Sequence, residues 1–206
     1  MPIKARKFKT DPLFFAVFAV FCIFEGVFVT SVIYLSAIFH ELGHLFAARL
    51  CKAKIKSFSL LPIGMRIELE LDGIKYRSQA LIAIMGPLFN VVLWLISLVV
   101  ARLCYHPLLS FCAAANFILA AVNVMPALPL DGGRITEALL CMHLELDRAV
   151  AVTEIITLIT LIALFLFGVY LLVSSGYNFS LLLMSSFFLI MLLKEHLKPR
   201  NSKKTL

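Results

Sequence analysis

Charge is scarce in this chain. Asp, Glu, Lys and Arg make up 15% of its 206 residues, against roughly 25% in an ordinary soluble domain. Repeats and low-complexity tracts are lacking too, which excludes a collagen-like fibre and a disordered polar chain. Cysteines number five (Cys22, Cys51, Cys104, Cys112, Cys141), are widely scattered and form no CxxC pair. That pattern supports neither a disulfide framework nor a thiolate metal site, and the five read as small apolar packers. What is abundant is apolar surface: 62% of the residues are hydrophobic. A water-soluble chain this small could not bury so much. The composition therefore specifies a polytopic membrane protein set in a lipid bilayer. The net charge of +7 is read as membrane topology, not as a nucleic-acid partner.

A membrane-crossing helix needs about 20 predominantly apolar residues. On that scale the hydropathy pattern predicts six spans, near 12–24, 27–50, 79–104, 108–125, 151–173 and 179–193. Glu25-Gly26 breaks the first long apolar stretch in two. Six spans place both termini on one side, and with them every Lys and Arg except Arg102. By the positive-inside rule that side is the cytoplasm. The basic start, Lys4, Arg6, Lys7 and Lys9, leads into Leu13–Phe24 without an Ala-x-Ala site, so the first span is expected to stay as a signal anchor. The basic tail from Lys198 to Leu206 is expected to lie on anionic lipid.

Between spans 2 and 3, Met65-Arg66-Ile67-Glu68-Leu69-Glu70-Leu71 alternates apolar and charged strictly, and Asp72-Gly73 follows. Period two beside Asp-Gly signals a hairpin. It is expected over Met65–Ser78, turning at Asp72-Gly73, with its apolar face on the membrane or the helix bundle. The fold class is thus an all-α polytopic membrane protein of six transmembrane helices, with a small β-hairpin in the cytoplasmic loop between spans 2 and 3. Residues 1–206 read as a single membrane-embedded domain with its core at about 27–135.

His40-Glu41-Leu42-Gly43-His44 lies inside the second span. On a helix, positions i and i+4 share a face one turn apart. Two imidazoles so placed can share one tetrahedral metal ion, with the intervening Glu41 in reach of a water there. Ionisable groups inside a span cost about 2.5–3.5 kcal/mol on insertion scales, so chance core histidines are a poor explanation. Catalytic zinc usually has three protein ligands and one open position. Asp131 is the expected third: it follows the fourth span, which runs outside to inside as the second does, so both motifs come at similar depth. Pro126 and Pro129 forbid a continuous helix before it. His106, His143 and His196 are weaker candidates, and a soluble-facing site would instead use a loop glutamate, Glu68 or Glu70. Asn116 and Asn123 are seven apart and share a helical face, either as interhelical hydrogen-bonding residues or in holding substrate. Gly86-Pro87, with Asn90, reads as a proline near a helix start.

His40-Glu41-Leu42-Gly43-His44, Gly86-Pro87-Leu88-Phe89-Asn90, and Asn123 through Leu130-Asp131-Gly132-Gly133 together resemble the site-2 protease family of intramembrane zinc metalloproteases. The compact layout resembles the branch containing the stage IV sporulation protease, but without that branch's carboxyl-terminal CBS domain, so nucleotide sensing is not expected. The resemblance implies one zinc ion per chain held by His40, His44 and Asp131, Glu41 as general base and acid, and Asn123 as a substrate-contacting residue. It further implies a membrane-tethered protein substrate cleaved near the cytoplasmic face, a regulatory membrane protein as a partner, and a place in a bacterial cell membrane. The rival is a zinc-binding transporter or scaffold that does not cleave. A transporter needs polar residues continuing across the membrane, and the outer halves of these spans have almost none.

Overall fold

Backbone amides in hydrocarbon must find partners within their own segment, so long apolar runs become helices. The computed structural model describes residues 8–10, 12–61, 64–104, 106–176 and 179–196. It divides into two compact units, Met1–Val124 and Met125–Leu206. The basic residues before Phe8 and the tail from Lys198 to Leu206 lie outside the described residues.

In the first unit, helix α1 (Pro12–Phe24) and helix α2 (Val27–Leu50) are separated where the sequence breaks, at Glu25-Gly26. Gly26 has φ of +85°, a conformation that costs a side-chain-bearing residue dearly. The two helices fold together through Phe14 and Phe18, whose rings meet Tyr34 at 5.6 and 5.0 Å. Helix α3 (Tyr76–Cys104) and helix α4 (Pro107–Val124) complete the helical part. Gly43 of α2 sits on the α3 backbone: a Cβ there would stand 2.8 Å from the Met85 carbonyl carbon and 3.0 Å from Phe89 Cγ. Small residues at such a crossing let helices approach closely. Gly86-Pro87 falls in the interior of α3, so the expectation of a proline near a helix start is corrected. α3 begins three residues earlier than expected, at Tyr76, just after the Asp72-Gly73 turn.

Strand β1 (Phe8–Thr10), strand β2 (Lys54–Leu61) and strand β3 (Gly64–Glu70) form a three-stranded sheet in that order, β1 parallel and β3 antiparallel to β2. The alternating segment is a strand, as its period requires, but its partner lies upstream. Ile55 faces Leu69, and Phe58 faces Ile67. Asp72-Gly73, with Gly73 at φ +77°, turns the chain out of β3 into α3. Ile74-Lys75 offers too few residues for a return strand before helix begins, whereas β2 brings eight. The ladder slips by one residue between Ile55 and Ser57, a bulge that bends and twists the strand. Leu69 and Leu71 pack on the buried cluster of Ala47, Ala48 and Ile82, so the apolar face rests on α2 and α3.

In the second unit, Met125–Leu130 is non-helical, as two prolines in six residues demand. Helix α5 (Asp131–Leu140), helix α6 (Leu146–Ser175) and helix α7 (Ser180–His196) follow. The sequence reading did not anticipate α5, whose start is disguised by the unfavourable pair Gly132-Gly133. α6 and α7 meet at Gly168, where a Cβ would come 2.8 Å from Leu182 N. Among the described residues, α2, α3, α4 and α6 are long and apolar enough to cross a membrane, and α1 and α7 are shorter apolar helices. Ile23, Phe24, Phe28 and Val173 are each more than three-quarters exposed, an apolar surface suited to lipid. The chain is a multi-pass membrane protein.

Candidate metal centre

His40 and His44 stand one turn apart on α2, 7% and 8% exposed, with their rings edge to face at 4.7 Å. Two α3 groups hold them. His44 Nδ1 lies 2.8 Å from the Ile82 carbonyl oxygen, which can only accept, so Nδ1 carries the hydrogen. His40 Nδ1 lies 2.6 Å from Asn90 Oδ1 and donates to it in the same way. Each ring then presents Nε2 as a lone pair, and the two Nε2 atoms are 3.1 Å apart. Two acceptors aimed at one another repel unless a cation sits with them. Two nitrogen ligands of one tetrahedral zinc, at Zn–N of about 2.0–2.1 Å, are about 3.4 Å apart, so the pair fits such an ion. The hydrogen bond from each outward nitrogen is the usual companion of a metal-bound imidazole.

Room at this pair depends on Gly86. A Cβ there would overlap His44 Nε2 and stand 2.9 Å from His40 Cε1. Pro87, one residue on, loosens this turn of α3 by removing an amide N–H. Glu41 lies between the histidines, half-buried, and its Oε2 accepts a 3.3 Å hydrogen bond from the Ile67 backbone N–H of β3. Asn123, near the end of α4, is half-buried and donates from Nδ2 to the Leu119 carbonyl at 2.9 Å. Asn116, on the same face, is fully buried.

In the second unit Asp131 is 6% exposed and opens α5. A carboxylate in a first turn is favoured by the helix dipole. The irregular segment before it is tied down from α6: the Leu128 N–H donates to Thr157 Oγ1 at 3.1 Å, and Thr160 Oγ1 donates to the Pro126 carbonyl at 3.4 Å. Gly133 lets this segment fold back, since a Cβ would lie 2.6 Å from Leu128 N. Within the first unit, the imidazoles of His40 and His44 form a donor pair that could hold zinc. The weaker candidates differ: His106, His143, Glu68 and Glu70 are exposed, and Glu68 accepts a 2.7 Å bond from Ser57 Oγ. Burial, with the Glu137 charge adding, pushes the Cys141 thiol up. The Asn90 and Ile82 contacts were missed by sequence reasoning. Asn90 carried a signal, as an amide deep in an apolar span, but a backbone carbonyl such as Ile82 carries none.

Comparison with known proteins agrees with this chemistry. The model of peptidase family M50 matches residues 28–106 and 100–167. The zinc metalloprotease MJ0392 of Methanocaldococcus jannaschii is 34% identical over 113 residues, 52% of this chain and 33% of that protein. Stage IV sporulation protein FB of Bacillus subtilis is 29% identical over 118 residues, 56% of this chain and 41% of that protein. The chain thus spans about a third to two-fifths of these curated relatives. The structure of the site-2 protease from M. jannaschii shares the fold, with a TM-score of 0.68 at 24% identity over 95% of this chain and 93% of that one. With the family model matching most of its length, this chain belongs to peptidase family M50, the site-2 protease family of metallopeptidases.

Proposed function

We propose that this chain is an intramembrane zinc metalloendopeptidase, one membrane-embedded domain that cleaves membrane-tethered proteins near the cytoplasmic face. The observation that carries the reading is the pair of buried imidazoles with their Nε2 atoms 3.1 Å apart, with Glu41 between them in the sequence. In this reading His40, His44 and Asp131 hold one zinc ion, and a regulatory membrane protein governs access to substrate. When bound, zinc supplies Lewis acidity, lowering the pKa of water toward about 7 and polarising a carbonyl. Glu41 takes a proton from the attacking water and delivers it to the leaving amine, so the peptide bond breaks and a carboxylic acid and an amine remain. Asn123 contacts the substrate through the second N–H of its amide.

A substrate helix hides its carbonyls in hydrogen bonds and must be extended before attack. Strand β3 is an edge of the sheet, and its Ile67 N–H is turned to Glu41. An extended substrate adding to this edge takes over that N–H and releases Glu41 for proton transfer. Support for a protease over a transporter or scaffold comes from this carboxylate, since zinc binding alone needs no general base.

The test is Glu41→Gln, with zinc content and cleavage of a membrane-tethered reporter measured on the same preparation. Zinc is expected to stay at one per chain while cleavage falls by about 10²–10⁴-fold, the usual worth of a general acid–base. Undiminished cleavage removes Glu41 from the reaction, and an active chain without zinc removes the metal.

A further inference from the structure

His40 donates to Asn90 Oδ1 because Asn90 turns its oxygen that way, and a chain of polar side chains across three helices accounts for the turn. Asn90 Nδ2 donates to the Ser36 carbonyl at 3.1 Å and to Asn116 Oδ1 at 2.8 Å. Asn116 Nδ2 donates to the Cys112 carbonyl and to Ser36 Oγ, each at 2.9 Å. The carbonyls of Ser36 and Cys112 can only accept, so they fix where each amide nitrogen lies. With both nitrogens fixed, Asn116 Oδ1 must face Asn90, and Asn90 Oδ1 must face His40. Asn90 and Asn116 are 0% exposed and Ser36 3%, so no water competes for these bonds.

We infer that Asn116 is a positioning residue for the metal site: acting through Asn90, it fixes the His40 tautomer that leaves Nε2 as the zinc ligand. Asn116 lies on α4, one residue removed from His40 along the relay. Buried amides could serve helix packing alone, but packing does not require one polarity throughout, and this relay has one. Without Asn116, Asn90 keeps only the longer bond from its nitrogen to the Ser36 carbonyl, so the cost of reversing its amide falls and a fraction of the chains reverse it. A reversed amide offers N–H to His40 Nδ1, which then holds the lone pair, while Nε2 carries the hydrogen and cannot ligate. The inference rests on the metal site proposed above.

The experiment uses the full chain in detergent micelles with ¹⁵N-labelled histidine, stripped of metal, its tautomers read from ¹H–¹⁵N correlations. Zinc affinity is read separately by chelator competition. In the unsubstituted chain the Nδ1–H form of His40 is expected to be more populated than in any variant that breaks the relay. Asn116→Leu is expected to populate the Nε2–H form and weaken zinc binding by about 10-fold or more, the usual cost of losing an outer partner of a metal ligand. Asn116→Gln, which keeps the amide, is expected to restore most of the Nδ1–H form, and it supplies the reading if Asn116→Leu does not fold. Asn90→Leu with Asn116→Leu is expected to bind zinc no more weakly than Asn90→Leu alone. Additive losses, or an unchanged His40 tautomer in Asn116→Leu, overturn the relay. An unsubstituted chain that binds no zinc overturns the proposed function, while the tautomer measurement still judges the relay.

Discussion

At the scale of single residues, one missing carbon decides whether the histidine pair can exist. A Cβ on Gly86 would occupy the space of His44 Nε2 and press on His40 Cε1. Alanine is otherwise the better residue inside a helix, by about 1 kcal/mol, so the two effects oppose. Gly86→Ala is expected to cut zinc affinity by at least about 10-fold, because the rings must swing off their shared point. Thermal stability of the metal-free chain is expected to change little, since the gained propensity offsets the displaced ring. Chelator competition and a melting curve check the two halves, and an unaltered zinc affinity would show that the glycine is not part of the site. The ligand pair itself was legible, because His40, Glu41 and His44 need only helical spacing to meet. Gly86 was legible only as a motif letter: its role depends on where α3 crosses α2, which hydropathy does not encode.

Secondary-structure elements were readable to different degrees for a physical reason. The break at Glu25-Gly26 and the span at 27–50 agree with α1 and α2 because membrane insertion leaves helix as the sole option for an apolar run. The hairpin had no such constraint. Period two identified β3 correctly, but the choice of partner depends on loop geometry and packing, and Asp72-Gly73 was drawn to the wrong junction. α5 escaped because Gly132-Gly133 looks like a stop while the tertiary setting makes it a start. The corrected sheet sharpens a prediction about substrate. Ile67→Pro deletes the N–H that bonds Glu41 and blocks strand addition at that point of the β3 edge. The ladder to β2 survives, because that N–H is not directed to β2. Zinc content is therefore expected to be kept and reporter cleavage to fall by about 10-fold or more, with the loss chiefly in KM. Cleavage at the original rate would refute docking on this edge.

For the whole molecule, the open question is how many helices cross, and charge supplies the discriminating argument. α1, at 13 residues, reaches about 20 Å and α7, at 17, about 26 Å, against a hydrocarbon core of about 30 Å. By length and composition, four helices are long and apolar enough to cross. Four spans, however, would put the basic residues of both termini on the side of Arg102, opposite the basic loop between α2 and α3. Six spans gather them all with that loop. Local bilayer thinning costs only fractions of a kcal/mol per Å of mismatch, whereas each basic residue near an anionic cytoplasmic leaflet gains about 1 kcal/mol. The charge term is thus at least comparable to the mismatch of two short helices, and six crossings is the arrangement put to the test. Cys104, exposed at the end of α3, falls on the side opposite the loop between α2 and α3 in either arrangement and serves as the reference. In intact cells a membrane-impermeant maleimide is expected to label Cys104, while Leu206→Cys in a Cys104→Ser background is labelled only after permeabilisation. Equal labelling of both from outside would leave α7 lying along the membrane, and would put the carboxyl terminus opposite the loop that carries β3.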